Sequence, residues 1–175
     1  MDEFPPLLPR ADALKTNEWK PAQDISVGGE TYPHSIGFCI PEKKRNDYYK
    51  YHDTERITHV EYIEYQLGYK YQTLRFDYGI DDSSFPDNVE YPPQSVFWIV
   101  IQSCNSEETL KSDENIIFQT KPLNYRRSLQ SSGDIDVSGA EVVRITVFWE
   151  FDVISTKPLT FNVALINPIL YAAKN

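Results

Sequence analysis

Between Ile57 and Asp82 the chain alternates apolar and polar residues twice, once on each side of a glycine. Ile63, Tyr65 and Leu67 mark the first run, and Leu74, Phe76, Tyr78 and Ile80 mark the second. Successive side chains of a strand point to opposite faces, so each run predicts a strand with one face in a core and the other in water. Gly68 between them predicts a tight turn, and the two runs together predict one antiparallel hairpin. Gly79, Asp81 and Asp82 then end the alternation and predict a polar loop.

The flanking sequence keeps the same period. Ile25-Ser-Val-Gly-Gly-Glu-Thr-Tyr reads as strand, Gly-Gly turn and strand, continuing through His34 to Ile40 and stopping at Pro41. Ser95 to Gln102 is apolar on both faces, as expected of a strand central in its sheet. Ile116-Ile-Phe-Gln is a short strand, and Ile135-Asp-Val leads into a turn at Ser138-Gly139. From Val142 onward, Val143, Ile145, Val147, Trp149 and Phe151 alternate with Arg144, Thr146 and Glu150. Phe161 to Leu170 closes the chain, with Pro168 placed where a terminal edge strand can spare a backbone donor. No amphipathic helix of substantial length is present. The expected fold is all-β: an antiparallel β-sandwich of jelly-roll type over residues 25–175 as a single domain, preceded by an irregular, Pro-rich N-terminal arm over residues 1–24.

With 175 residues, 41% hydrophobic and 14% aromatic, the chain can bury a sizeable core without a second domain. Its formal net charge of -9, with basic residues scattered apart from Lys43-Lys44-Arg45 and Arg126-Arg127, argues against a nucleic-acid partner. No apolar run approaches the roughly 20 residues needed to span a bilayer, so no membrane partner is expected. The amino terminus, Met-Asp-Glu-Phe-Pro-Pro, is acidic where a secretion signal is basic and then apolar. The expected compartment is therefore the cytoplasm, with secretion only if a signal segment has been removed. Cys39 and Cys104 are the only cysteines and read as separate buried thiols.

The chemistry-bearing residues form no catalytic constellation. There is no Gly-x-Ser-x-Gly elbow, phosphate-binding loop or dinucleotide fingerprint, and His34, His52 and His59 match neither zinc-finger nor metalloprotease spacing. No enzyme and no cofactor are expected. Asp77, Asp81 and Asp82, with Asp87 nearby, could offer oxygen ligands to a structural calcium ion. Their spacing fits no calcium loop, and the plainer reading is that acidic residues beside a glycine hold turns through hydrogen bonds.

Aromatic residues are the stronger signal, because sugar-binding surfaces stack pyranose faces on rings and hold hydroxyls with carboxylates and amides. Trp98 and Trp149 fall inside strong strands and are expected in the core. That leaves Trp19 in the arm, with Tyr48, Tyr49, Tyr51, His52 and Tyr91 in two long loops, as the candidate ligand-binding residues. The plainer reading of each tyrosine is a ring that covers the sandwich edge with its hydroxyl in water. Long loops on a rigid frame commonly carry recognition, so the functional face is expected where the 42–56 and 82–94 loops meet.

The order of these elements resembles a known family. Val27-Gly-Gly-Glu-Thr-Tyr-Pro-His-Ser-Ile-Gly-Phe resembles its opening motif, and Ile63 to Asp82 resembles its central leucine-glycine, tyrosine, glycine-aspartate segment. Asp134-Ile-Asp-Val-Ser-Gly-Ala-Glu-Val-Val-Arg-Ile-Thr-Val resembles the segment that follows, and Ala164-Leu-Ile-Asn-Pro-Ile-Leu its closing strand. The family is the NPCBM family of carbohydrate-binding modules, which belongs to the galactose-binding-like jelly rolls. The resemblance runs over residues 25 to 171 and departs where the family commonly has a histidine after the opening glycine; here Phe38-Cys39-Ile40 follows Gly37, and His34 precedes it. It implies a non-catalytic module that binds carbohydrate through loops at one end of the sandwich. The alternative is an intracellular interaction or sensory domain that keeps the jelly-roll frame and recognises a protein partner.

Overall fold

The computed structural model describes residues 25–39, 56–84, 96–105, 115–124, 129–152 and 162–172, which form an all-β antiparallel sandwich of jelly-roll type. Its strands are β1 (Ile25–Val27), β2 (Glu30–Tyr32), β3 (Ser35–Phe38), β4 (Arg56–Gln66), β5 (Tyr71–Ile80), β6 (Val96–Cys104), β7 (Ile116–Gln119), β8 (Leu123–Asn124), β9 (Gln130–Ser131), β10 (Ile135–Asp136), β11 (Val142–Asp152) and β12 (Val163–Ala172). One sheet runs β10-β5-β12-β3, with β9 also on β5. The other runs β4-β11-β6-β7, with β8 also on β6, and β1 and β2 make a separate two-stranded ribbon. The described residues contain no α-helix; Asp82–Ser84 is a single 3₁₀ turn.

The alternation read from the sequence places the core. Val143, Ile145, Val147 and Trp149 of β11 are fully buried, as are Leu74 and Ile80 of β5, Ile99 and Ile101 of β6, and Val163 and Leu165 of β12. These rows, with Ile63 and Tyr65 of β4 and Leu67 just after it, form one cluster between the two sheets. Cys39 and Cys104 are both buried thiols.

The central pair of strands is not a hairpin. β4 pairs with β11 in one sheet and β5 pairs with β12, β10 and β9 in the other. The local turn has the sharpness that the sequence predicts: Gly68 and Tyr69 both have positive φ, 59° and 63°, and Lys70 N donates to Leu67 O at 3.4 Å. What overrides the hairpin is burial. Both strands carry an apolar row, and two such rows are covered together when they face each other across a core, not when they lie side by side in one sheet. The turn is held in this arch from outside, since Leu67 N and Gly68 N both donate to Glu141 O, at 2.6 and 3.0 Å, and Tyr69 N donates to Ala140 O at 3.1 Å.

Three further placements differ from expectation. The chain does not run straight from β2 into β3; Pro33 and His34 interrupt it, and β3 joins the edge of a different sheet. β12 is not an edge strand over its first half, because Val163 to Ile166 pair with β3 on one side and β5 on the other. Pro168 is tolerated there because it falls in a bulge: the register with β5 shifts between Ile166 and Ile169, and Asn167, at φ 47°, donates its N–H to His34 O at 2.7 Å. Trp98 is half-buried and faces outward from β6, stacked on Phe148 with ring centroids 5.1 Å apart; the core position belongs to Phe97.

The ribbon β1-β2 adds a third layer on the outer face of the β5-β12 sheet. Ile25 and Val27 bury against Ala164 and Ile166, with Tyr32 and Leu129 beside them. Val27 reaches into the space above Gly79, where an added Cβ would lie 2.8 Å from Val27 Cγ1. The branched valine is stiff and has little room to yield. Gly79→Ala is therefore expected to lift the ribbon and destabilise the fold by about 1–3 kcal/mol, read as a lower melting temperature in thermal denaturation. An unchanged melting temperature would mean that the ribbon is not packed on this strand.

Candidate functional site

Strand ends define one end of the sandwich as the place where its longer connections attach. Phe38, Ile80 and Val163 are matched across β3, β12 and β5, and in the other sheet Asp152 lies opposite Arg56 and Glu150 opposite Val96. Because β4 and β5 are joined by the short turn at their other ends, both sets lie at the same end of the sandwich. They flank residues 40–55, 85–95 and 153–161, which lie outside the described residues, and with them most of the 42–56 and 82–94 segments expected to form the functional face. Tyr48, Tyr49, Tyr51, His52 and Tyr91, and Trp19 of the arm, lie outside the described residues.

At that end the inner face of β4 turns polar. Ile63, Tyr65 and Leu67 continue back along the same face to Glu61 and His59, which are 8% and 3% exposed. His59 Nε2 lies 2.9 Å from Glu61 Oε1, and the His59 ring sits 5.6 Å from the Trp149 ring at 44°. The donor and acceptor roles in this contact follow the histidine tautomer. The sequence contains a signal for this pair that spacing rules for metal ligands do not use: extended backward by period two, the buried row of β4 reaches two polar residues. All three side chains are buried, Trp149 completely, so the arrangement is a polar contact within the core at this end of the sandwich.

The aspartates serve another purpose. Asp81 Oδ2 accepts from Ser26 N at 3.0 Å, and its Oδ1 accepts from Ser83 N at 2.9 Å and from the Ser83 hydroxyl. Asp82 Oδ1 and Oδ2 accept from Gly28 N and Gly29 N at 3.0 and 2.8 Å. The two carboxylates thus hold the β1-β2 ribbon by its backbone amides, and Asp81 adds the turn hydrogen bond of the plainer sequence reading. Asp77 sits in mid-strand on β5, opposite Ile166 and Ser131. Among the described residues no group of three or more His, Cys, Asp and Glu is arranged to hold a metal ion.

Among the described residues the outer face of the β4-β11-β6 sheet carries one exposed aromatic, Tyr62, and two half-buried ones, Trp98 and Phe148. Tyr62 is 54% exposed, and the Arg144 guanidinium lies 4.6 Å from its ring centroid. Arg144 Nε donates to Glu64 Oε1 at 2.7 Å, which fixes the cation over the ring. Beyond this group the Trp98–Phe148 stack continues the face.

The carboxylate geometry sets a direct test. Asp82→Ala removes acceptors from two amides and is expected to destabilise the fold by about 1 kcal/mol. Added calcium should leave the wild-type melting temperature unchanged; a calcium-dependent rise that Asp82→Ala abolishes would make the pair metal ligands instead. Comparison with protein-family models and with curated proteins found no match to this chain.

Proposed function

We propose that this chain is a non-catalytic recognition module that binds carbohydrate at the end of the sandwich where its longer connections attach. The observation that carries the reading is the His59–Glu61 pair beside Trp149, a polar, hydrogen-bonded group set into an apolar core at that same end. Sugar recognition needs both an aromatic surface and oriented polar groups, and rigid strands carrying long loops are the usual support for such sites. The resemblance to the NPCBM modules supplies the ligand class. Protein recognition is the second reading, and the flat group of Tyr62, Arg144 and Glu64 on the sheet face favours it, since Tyr and Arg are enriched at protein interfaces.

A glycan array followed by titration calorimetry on its hits separates the readings. Tyr49→Ala and Tyr51→Ala are expected to weaken sugar binding by about 1 kcal/mol or more, several-fold in affinity, without moving the melting temperature. A blank array with a partner captured reproducibly through Tyr62 would replace the sugar reading with the protein one. Hits that bind unaltered by either tyrosine change would move the site away from the 42–56 loop.

A further inference from the structure

We infer that the β1-β2 ribbon is a strap that opens as one unit about the Pro33-His34 link while both sheets of the sandwich stay folded. The first observation is how the ribbon differs from the other strands. β1 and β2, three residues each, pair with each other, and among the described residues no backbone–backbone hydrogen bond joins either of them to another strand. Every other strand is stitched into one of the two sheets by its backbone.

The second observation is how the ribbon is held instead. Three of its amides, those of Ser26, Gly28 and Gly29, donate to the side chains of two adjacent residues, Asp81 and Asp82. The Gly28 and Gly29 bonds lie at the surface, where water competes for donor and acceptor alike. The rest of the hold is apolar: Ile25 and Val27 bury against Ala164 and Ile166 in a small cluster separate from the core between the sheets. Lifting the ribbon therefore uncovers Gly79, Ala164 and Ile166 on the outer face of the β5-β12 sheet and leaves the main core packed. Segments held by few buried apolar contacts and by surface hydrogen bonds open at a lower free energy than the whole domain.

The third observation is that the ribbon coheres within itself and is hinged at one point. The Ser26 and Thr31 hydroxyls lie 3.4 Å apart across its ladder, and the Tyr32 hydroxyl donates to Glu30 at 2.9 Å. Pro33 and His34 are exposed, and the His34 carbonyl is pinned to the sandwich by Asn167 N at 2.7 Å, which fixes the pivot. A two-stranded ribbon is marginal by itself, so release from the aspartates and loss of its ladder are one event. Asp82 grips the Gly28-Gly29 turn, the tip farthest from that pivot, and so acts as the catch.

Hydrogen exchange read by mass spectrometry, in buffer and in urea below the unfolding transition, tests this on wild type, Asp82→Asn and Ile101→Val. In the wild type the amides of residues 25–32 are expected to exchange faster, relative to their intrinsic rates, than those of Val142 to Glu150, and with a weaker dependence on urea, because opening the strap exposes little surface. Ile101 belongs to the core between the sheets and not to the ribbon's cluster. Ile101→Val is expected to speed exchange in β11 by about two- to tenfold and to leave residues 25–32 unchanged, since the strap opens without unfolding that core. Asp82→Asn puts a donor where one acceptor oxygen stood and is expected to speed exchange of residues 25–32 by about five- to tenfold. Ribbon amides that respond to Ile101→Val as strongly as those of β11 overturn the proposal, because the ribbon then opens only when the whole domain unfolds. Ribbon amides that exchange at their intrinsic rates in wild type overturn the docked strap, and an Asp82→Asn protein that exchanges like wild type overturns the catch.

Discussion

β11 is the strand on which the rest of the sandwich hangs, because its backbone is committed on both sides at once. Every residue from Val142 to Asp152 is matched to β4, and Val142 to Glu150 are matched to β6 as well. A strand so placed has no free donor or acceptor to yield, so neither neighbour can slip. A one-residue slip would also turn Val143, Ile145, Val147 and Trp149 out to the solvent face. Truncating a buried Trp or Phe alone costs about 3–5 kcal/mol, a large part of the total stability of a domain this size. Register and core therefore enforce each other.

From that fixed sheet the remaining geometry follows. β4 is set by β11, and the two left-handed residues at Gly68 and Tyr69 send the chain across the core instead of back alongside it. β5 then lies in the opposing sheet with its apolar row facing that of β4. The carbonyl of Glu141, one residue before β11, accepts the amides of the turn, so the start of the central strand and the arch are built as one unit. At the other end of the core, the same registration brings His59 against Trp149, with Glu61 hydrogen-bonded to His59.

Strand existence was legible because it depends on local period, and β5, β6, β7, β10 and β11 lie close to where alternation puts them. Partnership was not. Alternation marks which face of a strand is apolar without saying whether its apolar face meets a neighbour in the same sheet or one across the core, which is why the β4-β5 turn reads as a hairpin. Pro168 misled for a related reason: a missing donor excludes a regular ladder position, and an edge and a bulge satisfy that exclusion equally well. Trp98 and Phe97 are adjacent in a run apolar on both faces, and such a run does not declare which parity is the inner one. The His59–Glu61 pair was legible in principle, as polar residues in phase with a buried row, whereas the aspartates of the 81–82 turn look the same in sequence whether they hold a cation or backbone amides.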